Sequence, residues 1–485
     1  MAGDGMLTPV TAHWGDIHFA PWCPMALQPR FLLPVLIGLL LSGCSSVARH
    51  TGHPQATGQV QAIPPLPPPP AWTDGIAALY DRALRVDGLD PRTFAPEHWW
   101  RLVTPLLTDA NGFRVREIGR SVEGRPLRHV AWGNGPRRVL LWSQMHGDES
   151  TATMALADLF RFLAEHPDHP LAKRLRENTT LHFLPLMNPD GAARFRRENA
   201  QGIDINRDAA ALASPEARAL KSLYDQVRPQ FGFNLHDQRP GYRAGDSDKA
   251  TAIALLSPPF DASGAINDVR TRAIEVAVAI RAMLEPELAG HIARWDEDFT
   301  PTAFGDLTTQ WGTSTVLIEA GGIEGDPQKQ VLRRHYFMAL LAALDAIATG
   351  DHAGLDPGHY FDLPQNGEVW PDLLIRGGTL LSPGLPSRRV DILIDFKQPL
   401  SEEGGRIKEV GDLTDIDVRR TIDANGLYIQ PLPCPARDGE TRPGAGSITP
   451  GKPACLQISR DAAGRDIVWT LLRDVDPTHR TPSGD

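Results

Sequence analysis

Between residues 112 and 350, apolar runs of strand length alternate with stretches of helical period. Val139–Ser143, Leu181–Leu186, Phe231–Leu235, Ala252–Leu256 and Thr315–Ile318 read as buried strands. Helices are predicted over 150–165, 212–227, 267–285 and 329–348. This alternation predicts an α/β sheet with helices on both faces. Upstream, Ile76, Leu79, Tyr80 and Leu84 fall at helical spacing, followed by Trp99, Trp100, Leu102 and Val103, so residues 72–110 read as helical pieces packed on the same unit. From about 355 the pattern changes. Residues 372–381 and 390–395 are short β-type runs between Gly and Pro turns, which predicts a smaller β-rich domain over 355–485.

Four of the five predicted strands run into polar residues of chemical interest. His146 and Glu149 follow the first, Asn188-Pro-Asp-Gly191 the second, His236 the third, and Glu319 ends the last. Open α/β sheets bind ligands at the carboxyl ends of their strands, so fold and motif positions agree. His146-x-x-Glu149 alone is a short motif with many chance matches, and its place at a strand end gives it weight. A hydrolytic zinc site needs three protein ligands and one open position. His146, Glu149 and His236 supply that set for one Zn2+ ion. A ligating histidine usually donates its other ring N–H to a carboxylate, a role open to Asp204, whose bland alternative is a turn residue behind Gly202. Glu319 ends an apolar strand, and unpaired burial there would be costly, which favours a site role over a turn cap.

Taken together, His146-x-x-Glu149, Asn188-Pro-Asp-Gly191, the series Arg197, Asn199, Gly202, Asp204, Asn206 and Arg207, the later His236 and the final Glu319 resemble the carboxypeptidase A family of zinc metallocarboxypeptidases. Residues 117–127 resemble that family's entry segment. The resemblance implies a mixed sheet flanked by helices over 72–350 and removal of C-terminal residues by zinc-activated water. It assigns Asn206 and Arg207 to the substrate's terminal carboxylate, a job that suits a guanidinium fork. It assigns Arg197 to the scissile carbonyl and its oxyanion, and Glu319 to general-base work. One departure stands out. The family carries a tyrosine on a mobile loop before the catalytic glutamate, and residues 296–306 contain none. Phe299 or Phe304 would wall the pocket without donating a hydrogen bond, and Tyr242 is a more distant candidate. Asp296, Glu297, Asp298 and Asp306 suggest substrates ending in a basic or diamino residue, against the plain alternative of a solvated loop.

At 485 residues the chain has room for two or three domains, and a net charge of −10 gives no reason to expect nucleic acid as a partner. Residues 31–43 are apolar, too short to span a bilayer and of the length of a signal-peptide core. They end in Leu41-Ser42-Gly43-Cys44, which resembles a bacterial lipobox. That resemblance implies a leader over 1–44, a lipid on Cys44 and, with Ser45 next, an outer-membrane anchor facing the periplasm. Residues 1–24 are not basic, and Met25 with Arg30 makes a more ordinary leader start. Residues 45–71 are Pro-rich, and the run 64–70 reads as a stiff tether. In an exported protein Cys434 and Cys455 are expected to close a disulfide. The expected partners are a peptide or murein peptide with a free C-terminal carboxylate, and the membrane through Cys44. Two alternatives remain open at this level: an N-acyl amino acid deacylase or amidase, and an inert envelope-binding lipoprotein.

Overall fold

The computed structural model describes residues 63–472 except 398, 401, 403 and 435–447. The leader 1–44 with Met25 and Cys44, and the tether up to residue 62, lie outside the described residues. The proline run at 64–70 does not stand clear of the fold, because Leu66 packs against the main core.

Nine strands belong to the first half: β1 Phe113–Arg120, β2 Pro126–Gly133, β3 Arg137–Ser143, β4 Thr179–Leu184, β5 Phe231–Asp237, β6 Tyr242–Ala244, β7 Ile253–Leu256, β8 Ile292–Arg294 and β9 Ser314–Ala320. All but β6 form one eight-stranded mixed sheet, ordered β1-β2-β4-β3-β5-β9-β7-β8. Its centre, β4-β3-β5-β9, is parallel. Helices cover both faces. They are α1 Thr73–Leu79, α2 Pro96–Val103, α3 Thr151–Glu165, α4 Pro170–Asn178, α5 Pro189–Arg194, α6 Pro215–Val227, α7 Asp268–Leu288, α8 Phe304–Gln310, α9 Gln330–Thr349 and α10 Gly358–Phe361. Alternate residues of β3 point to opposite faces, so Val139 and Leu141 join the core with α3, α7 and α9, while Leu140 and Trp142 join the core with α6 and α8. Burial on both faces explains why the central strands read as continuous apolar runs. All five predicted strands and four predicted helices are present, with ends shifted by a few residues. The β1–β2 hairpin was not predicted, since Arg114 to Glu117 of the edge strand β1 are exposed and give no apolar run.

The second sheet has seven strands: β11 Leu373–Leu380, β12 Arg388–Asp395, β13 Arg406–Gly411, β14 Arg420–Asp423, β15 Tyr428–Pro431, β16 Leu456–Ser459 and β17 Ile467–Leu471. It has its own core around Ile375, Ile392, Ile394, Phe396 and Ile458. The Cys434–Cys455 disulfide joins segments 21 residues apart in this half. The strand before it, β10 Asn366–Val369, pairs with β6, so the chain between the two sheets adds a strand to the first half's side. The β-rich layer therefore begins at Leu373, later than the expected boundary at 355.

Candidate metal centre and cleft

Strand register sets the centre of the site. His236 lies opposite Glu319 on the neighbouring parallel strands β5 and β9, both at their carboxyl ends. His146 and Glu149 come from the turn between β3 and α3. His146 Nδ1 lies 2.7 Å from Glu149 Oε1, and His236 Nδ1 lies 2.7 Å from Glu149 Oε2. Among the described residues these three offer ligand atoms that all fall within 4.8 Å of one another. All three are buried and line one cleft. His146 Nε2 is held at 2.9 Å by Asp204 Oδ1, which leaves Nδ1 aimed at the site. Burial disfavours the charged form of Glu149, yet His146 and His236 hold its carboxyl well below the usual range. Two imidazole nitrogens and an ionised carboxylate form a donor set that fits zinc.

The glycine-bearing motifs build this turn. A Cβ on Gly147 would run into the backbone of Gly191 and Ala192, so only glycine lets the two loops touch. Asn188 Nδ2 donates to the carbonyls of Met145 (3.2 Å) and Arg197 (3.1 Å), bracketing the His146 turn. Asp190 accepts from Ser121 Oγ at 2.8 Å, the Glu123 amide at 3.0 Å and Arg125 Nη1 at 2.7 Å, which anchors the turn before β2. The Asn188–Gly191 motif is thus scaffolding for the ligand loop.

Glu319 is buried beside this centre, and its Oε2 has no protein hydrogen-bond partner. Burial and the neighbouring Glu149 carboxylate push its carboxyl well above the usual range. Arg197 spans Asp204 and Glu149, with Nη2 3.0 Å from Asp204 Oδ2 and Nη1 3.3 Å from Glu149 Oε1. Asn206 is fixed through Oδ1, which accepts the Phe304 amide at 3.0 Å. Arg207 is exposed at the cleft, with Nη1 2.8 Å from the Asn206 carbonyl. The structure therefore brings together every site residue predicted in the catalytic half.

Three supporting residues were not foreseen. Asp237 follows His236, and its amide donates to Glu149 Oε2 at 3.1 Å. Its carboxylate receives Thr151 Oγ1 at 2.7 Å, Arg92 Nη2 at 3.1 Å and Lys329 Nζ at 3.1 Å. Lys329 is buried, and Nζ also reaches the carbonyls of Ala320 (2.8 Å) and Gln238 (3.3 Å). It thereby ties the end of the strand bearing His236 to the end of the strand bearing Glu319. Lys329 precedes α9 in a left-handed conformation (φ 53°), at a helix start where a cation is disfavoured. That misfit is the one sequence-level sign of its role. Arg92 lies 145 residues from Asp237, and no local pattern links them.

The centre opens into a cleft of about 500 Å³. Tyr242 lines it and packs against Trp295 at 5.8 Å between ring centroids. Phe299 and Phe304 are not among the lining residues, contrary to the expected alternatives for the missing tyrosine. Phe304 is buried in the core under the sheet instead. Asp296, Asp298 and Asp306 line the cleft, whereas Glu297 turns away to Arg270 (3.2 Å), Arg294 (2.9 Å) and Tyr360 (3.2 Å).

Residues 107–237 match the model of the zinc carboxypeptidase family. The matched segment contains His146, Glu149 and His236 and stops short of Glu319. Carboxypeptidase SOL1 of Arabidopsis thaliana is 29% identical over 140 residues, 25% of this chain and 28% of that protein. Probable carboxypeptidase 2 of Trichophyton verrucosum is 29% identical over 214 residues, 42% of this chain and 39% of that protein. The chain thus spans about a third of the length of the curated relatives it matches, from 28% to 39%. Among solved structures, the metallo-carboxypeptidase from Pseudomonas aeruginosa in complex with (2-guanidinoethylmercapto)succinic acid is similar at 18% identity and TM-score 0.43, over 54% of this chain and 71% of that one.

Proposed function

We propose that this chain is a zinc-dependent metallocarboxypeptidase that removes C-terminal residues from peptides or murein peptides in the bacterial cell envelope, held there by a lipid on Cys44. The observation that carries the reading is the convergence of His146, Glu149 and His236 within 4.8 Å beside the buried Glu319. The zinc carboxypeptidase match over residues 107–237 supports it.

A zinc ion held by His146, Glu149 and His236 would supply Lewis acidity at the cleft floor. Asn206 and Arg207 clamp the terminal carboxylate of the substrate and so register the last peptide bond over the site. Glu319, buried beside the metal ligands with one oxygen free of any protein partner, takes a proton from the attacking water and returns it to the leaving amine. Arg197, already oriented by Asp204, places positive charge where the oxyanion develops. Asp296, Asp298 and Asp306 on the cleft wall favour a terminal residue with a cationic side chain. The disulfide in the β-rich layer supports an oxidising, extracytoplasmic compartment.

The test is release of single C-terminal residues from peptides that vary at their last position. Zinc-loaded protein is expected to release them, a chelator to stop it, and Glu319→Gln to lower kcat/KM by about 10²–10⁴-fold. No release from zinc-loaded protein would sink the reading. Equal rates on Lys-ending and Phe-ending peptides would sink the cationic preference alone.

A further inference from the structure

The cleft wall that carries Asp296 and Asp298 runs between β8 and α8. Backbone groups fix both of its ends. At the start, the Trp295 amide donates to the Leu255 carbonyl at 2.9 Å. At the finish, the Thr302 carbonyl accepts the Ala209 amide at 3.0 Å, and the Phe304 amide donates to Asn206 Oδ1 at 3.0 Å. The wall therefore abuts the segment that holds Asn206 and Arg207. Its middle is a weak link. Among the described residues, no backbone hydrogen bond joins 296–299 to another part of the fold, and the Asp298 amide turns back onto Asp296 Oδ1 at 3.0 Å.

Glu297 supplies the missing tie. It points away from the cleft, between two residues that line it. Its Oε1 accepts Arg294 Nη1 at 2.9 Å and the Tyr360 hydroxyl at 3.2 Å, and its Oε2 accepts Arg270 Nη2 at 3.2 Å. Arg270 is wholly buried, and its place is set from behind. It also donates to the carbonyls of Ser257 at 2.9 Å, Gly264 at 2.7 Å and Ala265 at 3.1 Å. Tyr360 is equally buried, and its oxygen accepts the Ser257 amide at 3.1 Å. Both donors are thus anchored outside the wall, on α7 and α10. A carboxylate held by two guanidinium groups makes stronger, more directional hydrogen bonds than a neutral amide in its place.

We propose that Glu297 is a positioning residue for substrate selection: by fixing 296–299 from outside the cleft, it sets the wall against which the side chain of the substrate's last residue lies. This rests on the carboxypeptidase reading for the placement of the terminal carboxylate at Asn206 and Arg207. It holds whichever last residue is preferred. Glu297 itself is not among the residues that line the cleft.

The test compares the zinc-loaded full chain with Glu297→Gln, using N-acylated dipeptides that end in Lys, Phe or Ala. Gln keeps the shape of the tie and loses its charge. The Ala-ending peptide is the internal control, because its methyl group offers the wall least to hold. Wild type is expected to favour a long last side chain over Ala. In Glu297→Gln that ratio of kcat/KM should fall about fivefold, the size of one partly exposed contact, through a rise in KM. Zinc affinity and kcat on the Ala-ending peptide should hold. Arg294→Met removes one tie from the half-buried side and should act in the same direction, which keeps the test open where Glu297→Gln does not fold. Unchanged ratios in the variants, or equal rates on all three peptides in wild type, overturn the positioning role and leave the carboxypeptidase reading intact. An equal loss on all three peptides does the same, because it marks a merely structural residue. Absence of residue release by wild type overturns the carboxypeptidase reading. The Kd values of the same peptides, read by calorimetry, then decide the positioning role by the same ratios.

Discussion

Asp306 shows how a cleft residue carries a cost that pH reveals. Burial raises its carboxyl to about 6, against the Thr300 amide, which donates to it at 2.9 Å and favours the charged form. The folded state therefore binds this proton more tightly than the unfolded chain does. The contribution to stability is complete below the ordinary aspartate pKa near 4 and is lost as pH rises through about 6. Asp306→Asn keeps an acceptor for Thr300 and removes the titration. Relative to wild type, the variant should gain up to about 3 kcal/mol between pH 4 and pH 7. Urea unfolding at both pH values measures this, and parallel stability curves would refute it. Glu319 presents the same logic in stronger form, because one of its oxygens lacks any protein partner. A carboxylate kept in that state is poorly explained by stability and well explained by chemistry.

At the scale of elements, the parallel strands β5 and β9 align His236 with Glu319, but their exits need an anchor. Lys329 supplies it by binding Asp237, Gln238 and Ala320 together. Lys329→Met should leave both sheets formed and weaken zinc binding by about 10–100-fold, as other supports behind metal ligands do. Competition with a metallochromic chelator reads this directly, and wild-type affinity in the variant would refute it. The ligand strands were legible in the sequence because they are buried on both faces and end in His or Glu. The Asn188–Gly191 and Asp204 motifs were legible as signatures, although the scaffolding role of Asn188 and Asp190 emerged only from their contacts. The partnership of Arg92, Asp237 and Lys329 was not legible beyond the misplaced cation at the start of α9, since it joins positions far apart in the chain with no shared periodicity. Residues 296–306 contain no tyrosine, and among the described residues Tyr242 is the tyrosine that lines the cleft.

For the molecule as a whole, the two sheets have separate cores, yet one cleft draws residues from both. Damage to the β-rich layer should therefore reach the substrate before it reaches the metal. The Cys434–Cys455 bridge isolates that distinction, because it lies wholly within the second half and closes a segment of 21 residues. On loop-entropy grounds its loss should cost about 3 kcal/mol. The cost should fall on β15 and β16, which it staples, and through them on β11 and β12. The paired Cys434→Ser, Cys455→Ser variant is expected to show faster amide exchange over 373–471 and little change over 113–320, the two sheets behaving as separate cooperative units. Zinc affinity should hold while KM for peptides rises, because Arg239, which lines the cleft, donates to the Phe396 carbonyl of the β-rich layer. A uniform rise in exchange across both sheets would mean that the contact between them fuses them into one unit. Metal affinity would then fall along with substrate binding.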